Sequence, residues 1–276
     1  MTKWLLDNLD MNQYETKVVF ANTGREREET LEFIHNCDLH FGFGTIWVEC
    51  ITNPEHGKGV AARIVTYETA SRNGEPFEES IKKHGISNVK RPFCTRELKT
   101  RTINAYMRAI GWKKYHRAIG IRIDETDRIN PNYKKERIIY PLVSMVPMRK
   151  ADIFSFWKQQ PFTLNLKPYQ GNCDCCFKKS LRKLLTIAKE EPQRFDWWVA
   201  MERKYGECVP ESQKHNPKAI PPFHFFRGNV SALEILEMSK TFIDVVKDER
   251  TEHAQLTLFG FDLDVSNGCS ESCEAF

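Results

Sequence analysis

The sequence predicts an α/β fold, a mostly parallel sheet flanked by helices, followed by a helical C-terminal extension. Two observations predict the first part: short β-branched or aromatic runs alternate with helical periodicity, and glycine or proline separates them. A third predicts the extension. From Lys178 onward the apolar residues fall only at helical spacing. The expected division is therefore a nucleotide-binding-type α/β domain over residues 1–177 and a helical region with a cysteine-bearing tail over 178–276.

Thr2–Met11 reads as most of an amphipathic helix, with Trp4, Leu5, Leu6 and Leu9 on its apolar side. Lys17–Ala21 is a buried-strand pattern that runs into the turn Asn22-Thr23-Gly24. Glu28–Asn36 is helical. Thr45–Cys50 and Arg63–Thr69 have strand composition. Phe77–His84 is a short helix stopped by Gly85, and Thr95–Ile110 a longer one closed by Gly111. Tyr115–Ile123 and Arg137–Leu142 return to strand character around a polar loop, and Ala151–Gln160 is helical up to Pro161. Helical faces follow at Leu181–Ala188, Asp196–Lys204 and Ser231–Lys240.

Composition excludes several classes. With 41 basic and 37 acidic residues the chain carries +4, too little to indicate nucleic acid by charge. No apolar run reaches membrane-spanning length, and no secretory signal opens the chain. Nine cysteines, uneven in spacing and odd in number, fit a reducing, cytoplasmic setting better than a disulfide framework. Three of them crowd into Gly171-Asn172-Cys173-Asp174-Cys175-Cys176-Phe177. Cys173 and Cys176 form a C-x-x-C pair, whose short loop lets two thiolates face one ion; alone it is ambiguous among zinc, iron–sulfur and a redox dithiol. Cys37 and Cys50 read as core.

Five motifs then occur in one order. They are Val18-Val19-Phe20-Ala21-Asn22-Thr23-Gly24 with Glu28-Glu29-Thr30; Arg91-Pro92-Phe93-Cys94-Thr95-Arg96-Glu97-Leu98-Lys99; Ile119-Gly120-Ile121-Arg122-Ile123-Asp124-Glu125-Thr126-Asp127-Arg128; Tyr140-Pro141-Leu142 ahead of Ala151-Asp152; and Gly171–Phe177. Together they resemble the phosphoadenosine phosphosulfate (PAPS) reductase family of the adenine-nucleotide α-hydrolase, or PP-loop, superfamily. The resemblance covers roughly Val18 to Lys179; more loosely, the helices beyond look like those of phage- and bacteria-encoded relatives.

The resemblance implies an enzyme of sulfur metabolism that binds ATP or a sulfonucleotide (PAPS or its 5′-phosphosulfate analogue APS) at the sheet's C-terminal edge. It implies Asn22, Thr23, Gly24, Gly120, Arg122, Arg128 and Lys99 at the nucleotide, with Arg25, Arg91 and Arg96 as further cations. It also implies a [4Fe–4S] cluster, with zinc as the alternative, on Cys94, Cys173 and Cys176. Cys208 is the candidate fourth ligand. Two departures stand out. The family's serine–glycine–glycine P-loop is absent, so that about one strand and its loop are expected upstream of Met1, with a truncated relative as the alternative. The family's catalytic E-C-G-L-H segment is also absent; Cys269 and Cys273 near the end are the candidate catalytic thiols, served by a thioredoxin-like reductant. The alternatives are an ATP pyrophosphatase-type sulfurtransferase acting on nucleic acid, or a non-catalytic nucleotide-binding remnant. His35, His40, His56, His84 and His116 share no metal-site spacing. Trp197-Trp198 reads as core or as a lid between the tail helices, and the cations of Lys178–Lys183 as a solvated helix face or an anion-guiding one.

Overall fold

A computed structural model of the chain describes residues 1–248. After a short helix α1 (Thr2–Asn8), strand β1 (Val19–Asn22) leads into helix α2 (Glu28–Phe41) and back to strand β2 (Ile46–Thr52). Glu28 and Glu29 occupy the first turn of α2, where carboxylates complement the helix dipole. Gly42, at φ 67°, closes it in the left-handed conformation that suits glycine. The helix crossover makes β1 and β2 parallel, in register from Val19 opposite Ile46 to Asn22 opposite Glu49.

Strand β3 (Val60–Val65) corrects the mostly parallel expectation, because it runs antiparallel to β2. Its connection, residues 53–59, contains Pro54, Gly57 and Gly59. A parallel crossover needs a dozen or more residues, so a link this short returns the chain as a hairpin. Expected strand character at Thr66–Thr69 becomes a turn, held by the Thr69 hydroxyl accepting from the Thr66 amide at 2.8 Å. The first sheet is thus three-stranded and mixed, in the order β1-β2-β3.

Helix α3 (Glu75–His84) precedes a π-helical stretch, Cys94–Arg101, that continues directly as α4 (Thr102–Ala109). The second sheet is smaller than expected: β4 (Arg117–Ala118) and β5 (Ile138–Ile139) form a two-residue parallel pair. Most of the apolar residues counted as strand instead pack as a small cluster of Ile121, Ile138 and Tyr140. A 3₁₀ turn, Ile123–Arg128, sits between the two strands. Helices α5 (Pro141–Ser144) and α6 (Lys150–Lys158) follow.

The C-terminal region is helical as expected: α7 (Leu181–Glu190), α8 (Asp196–Tyr205) and α9 (Ala232–Thr241). Ser180 caps α7, and Ser231 caps α9 in a reciprocal box with Glu234. The largest apolar core ignores the expected boundary at residue 177. Phe77 and Ile81 of α3, Leu98 of the π-helix, and Cys175 and Phe177 of the cysteine segment share it with Leu184, Trp198 and Ile235. No helix among the described residues is long and apolar enough to cross a membrane.

Candidate functional site

β1 ends at the carboxyl edge of the parallel pair, where open α/β sheets place ligands. Asn22 is fully buried there; its amide donates to Glu49 Oε1 at 2.7 Å and to the Ser71 carbonyl at 2.8 Å. Its own carbonyl oxygen accepts from the Gly24 amide at 3.1 Å. Gly24 has φ 80°, and a Cβ there would stand 3.0 Å from the Gly74 Cα, so the loop is tied to the start of α3 by two glycines. Glu26 then organises what surrounds it. One carboxylate oxygen accepts from the Thr23 amide and hydroxyl, both at 2.8 Å. The other faces Lys99 Nζ at 3.4 Å and accepts from the Cys173 thiol at 3.8 Å.

Three of the separately expected pieces therefore meet on one side chain: the β1 loop, the lysine of the 91–99 motif and the first cysteine of the C-x-x-C pair. Lys99 is carried on the π-helical stretch Cys94–Arg101, which also contains Cys94.

The cysteine segment docks on the loop as an antiparallel bridge. The Arg27 amide donates to the Asn172 carbonyl at 2.7 Å, and the Asp174 amide to the Arg25 carbonyl at 3.1 Å. Beneath it runs a chain of buried charge. Arg25 pairs with Asp174 and lies 5.0 Å over the Trp197 ring. Arg194 reaches Asp174 at 3.4 Å and Glu191 at 2.9 Å. Arg27, fully buried, holds both oxygens of Glu191 at 3.1 and 3.0 Å. Burial pushes the Glu191 carboxyl up, but Arg27 and Arg194 more than offset it and hold the group below the ordinary glutamate value.

Arg25, Arg27, Lys99 and Arg194 face Glu26, Asp174 and Glu191, and the Glu29 carboxylate also acts on Arg194. Nε of Arg25 and Nε and Nη2 of Arg27 are buried without a hydrogen-bond partner, as is Glu29 Oε2.

Other expected residues lie elsewhere. Arg122 pairs with Asp124 at 3.0 Å and Glu125 at 3.2 Å, and Arg128 pairs with the same Glu125, all within their own turn. Gly120 lies between β4 and this turn, and the motif links β4 to β5. Arg91 donates to the His84 carbonyl at 2.5 Å, and Arg96 pairs with Glu97. Cys208, the candidate fourth ligand, is exposed beyond the end of α8, its thiol directed 4.0 Å to the Lys204 carbonyl. Cys175 is fully buried, and burial pushes its thiol well above the ordinary value. Among the described residues no three His, Cys, Asp or Glu side chains are arranged to hold a metal ion. Cys269 and Cys273 lie outside the described residues.

Glu26, Arg27, Asp174, Glu191 and Trp197 were not expected at the site. Glu26 stands between the two parts of the first motif, but its partners Lys99 and Cys173 are more than 70 residues away in sequence, and only the fold brings them together. Trp197 lies over Arg25 and Gly74 and also packs against Phe77 and Phe225 at the edge of the core that Trp198 fills.

A mixed α/β protein whose first βαβ loop is closed by a cysteine-bearing segment is the class these observations define. The chain is similar to the "Uncharacterized nin region protein ORF290" of Escherichia phage lambda, with 30% identity over 285 residues that span 99% of this chain and 90% of that protein. It belongs to that protein's family. No family model and no solved structure matches the chain.

Proposed function

We propose that the chain is a PAPS reductase-like enzyme of adenine-nucleotide α-hydrolase type, which takes an adenine sulfonucleotide at the β1 loop. The observation that carries this reading is the convergence of Thr23, Lys99 and Cys173 on Glu26, beside guanidinium nitrogens of Arg25 and Arg27 that have no hydrogen-bond partner. An anion at the loop would receive Lys99 and the backbone amides at the end of β1, as phosphate and sulfate oxygens are held elsewhere by turns and fixed cations. ATP is the second ligand of the same chemistry.

In the reaction, a thiolate attacks the sulfonyl sulfur, the S–O bond to phosphate breaks, and the electron pair leaves on the nucleotide. A second thiol then attacks the cysteine sulfur. A disulfide forms and sulfite departs, so the sulfate sulfur gains two electrons from two thiols. Cys269 and Cys273 are the thiols assigned by sequence, with a thioredoxin-like protein restoring them. No step of this reaction is routed through an iron–sulfur cluster or zinc.

The test uses sulfur-labelled PAPS and APS with a dithiol reductant under anaerobic conditions. Wild-type protein is expected to release labelled sulfite, and the double variant Cys269→Ser, Cys273→Ser to release none. Sulfite release unchanged by the double variant removes these thiols. No release from wild-type protein with either nucleotide removes the reductase reading.

A further inference from the structure

The small second sheet carries a feature that the nucleotide reading leaves unused. Two cationic stretches lie side by side at the entry to its strands. The first runs from the end of α4 to β4 and contains Arg108, Lys113 and Lys114 with no Asp or Glu between them; the second, before β5, contains Lys134, Lys135 and Arg137. All six are exposed. The Arg117 amide donates to the Arg137 carbonyl at 2.8 Å, which locks the two stretches onto adjacent strands.

The loop before β5 is a built structure. The Ile138 amide donates to the Tyr133 carbonyl at 2.8 Å, and the Glu136 amide to the Asn132 carbonyl at 3.0 Å. Arg137 sits at φ 53°, a conformation that L side chains rarely adopt. Glu136, the single acid of the cluster, pairs with Arg117 at 3.2 Å and leaves the other six cations uncompensated. Among the described residues none of the six has an ion-pair partner. So dense a one-sign surface costs self-repulsion unless a polyanion relieves it.

We propose that this surface binds the phosphate backbone of a nucleic acid. A lipid surface is disfavoured because Trp112 and Tyr115 pack against the Tyr106–Met107 core and offer no ring for insertion. Binding through fixed cations alone releases counterions and reads shape and charge, not sequence. The inference is independent of the nucleotide site, since none of its residues touches the β1 loop network.

The experiment is fluorescence-anisotropy titration of labelled single-stranded and duplex oligonucleotides with the full chain, from 50 to 200 mM salt. The variant carries Lys113→Gln, Lys114→Gln, Lys134→Gln and Lys135→Gln. The control carries Lys3→Gln, Lys82→Gln, Lys214→Gln and Lys240→Gln, which removes the same charge from exposed lysines already paired with a neighbouring acid. Wild type and control are expected to bind alike. The surface variant is expected to bind at least about tenfold more weakly, with a salt slope shallower by about 3 to 4 on duplex. Equal losses in both variants, or no binding by wild type at 50 mM salt, overturn the proposal. Tighter capture of anionic phospholipid vesicles than of oligonucleotide, lost in the surface variant, overturns it in favour of a membrane.

Discussion

Trp198→Ala is expected to lower the free energy of unfolding by about 3–5 kcal/mol, the usual cost of emptying a large buried aromatic site. The side chain is 1% exposed, and its ring stands 4.7 Å from Phe225 and 5.9 Å from Phe77 in edge-to-face contact. Phe77 belongs to α3, 121 residues earlier, so the ring ties the two halves of the chain into one core. Two consequences can be read in a urea titration. The midpoint should fall while the slope holds, and a single transition should be seen by tryptophan fluorescence and by far-UV circular dichroism. Two separated transitions in wild-type protein would mean that residues 1–177 and the C-terminal helices unfold independently. Trp198→Phe, which keeps most of the volume, should recover more than half of the loss.

Arg27→Ala is expected to cost about 3 kcal/mol, near the lower end of what removing one partner of a buried ion pair costs. The lower end applies because Glu191 keeps Arg194 at 2.9 Å and is one-fifth exposed. The pH dependence has a definite sign. Glu191 titrates lower in the folded protein than in the unfolded chain, so its contribution is present above the unfolded value of about 4.3 and lost as pH falls through the folded value. Arg27→Ala removes much of that difference. The variant should therefore lose less stability than wild type on acidification from pH 6 to pH 3, measured by urea midpoints. An equal loss in both proteins would mean that the pair does not set the acid limb.

Much of the fold was legible because it rests on local periodicity. The helices at Glu28, Leu181, Asp196 and Ser231 begin within a residue of where spacing and caps place them. Sheet topology was less legible, since composition marks a strand without giving its direction. The short link with Pro54, Gly57 and Gly59 held the signal for the hairpin. Ile119–Ile123 shows the other limit: β-branched residues pack equally well in a turn beneath Tyr140 as in a ladder. At the site, sequence pointed to Asn22, Thr23, Gly24, Lys99 and Cys173, which the fold brings together. It did not reveal Glu26 as the common partner of Thr23, Lys99 and Cys173, or the Arg25–Asp174–Arg194–Glu191–Arg27 chain, whose paired members lie as far as 164 residues apart. A charge finds its partner through tertiary structure, and no local pattern records the choice.

The central claim is that the β1 loop, Lys99 and the cysteine segment form one anion-binding site for an adenine nucleotide. Calorimetric titration of PAPS, APS and ATP into the full chain, beside Lys99→Ala, tests it most directly. Wild-type protein is expected to bind at least one of them, and Lys99→Ala to bind it about 10- to 100-fold more weakly, the worth of one charged hydrogen bond. Because its partner Glu26 is buried, far-UV circular dichroism of Lys99→Ala at the titration temperature shows that the variant compared is folded. No binding by wild type, or equal affinity in a folded Lys99→Ala, would contradict the account.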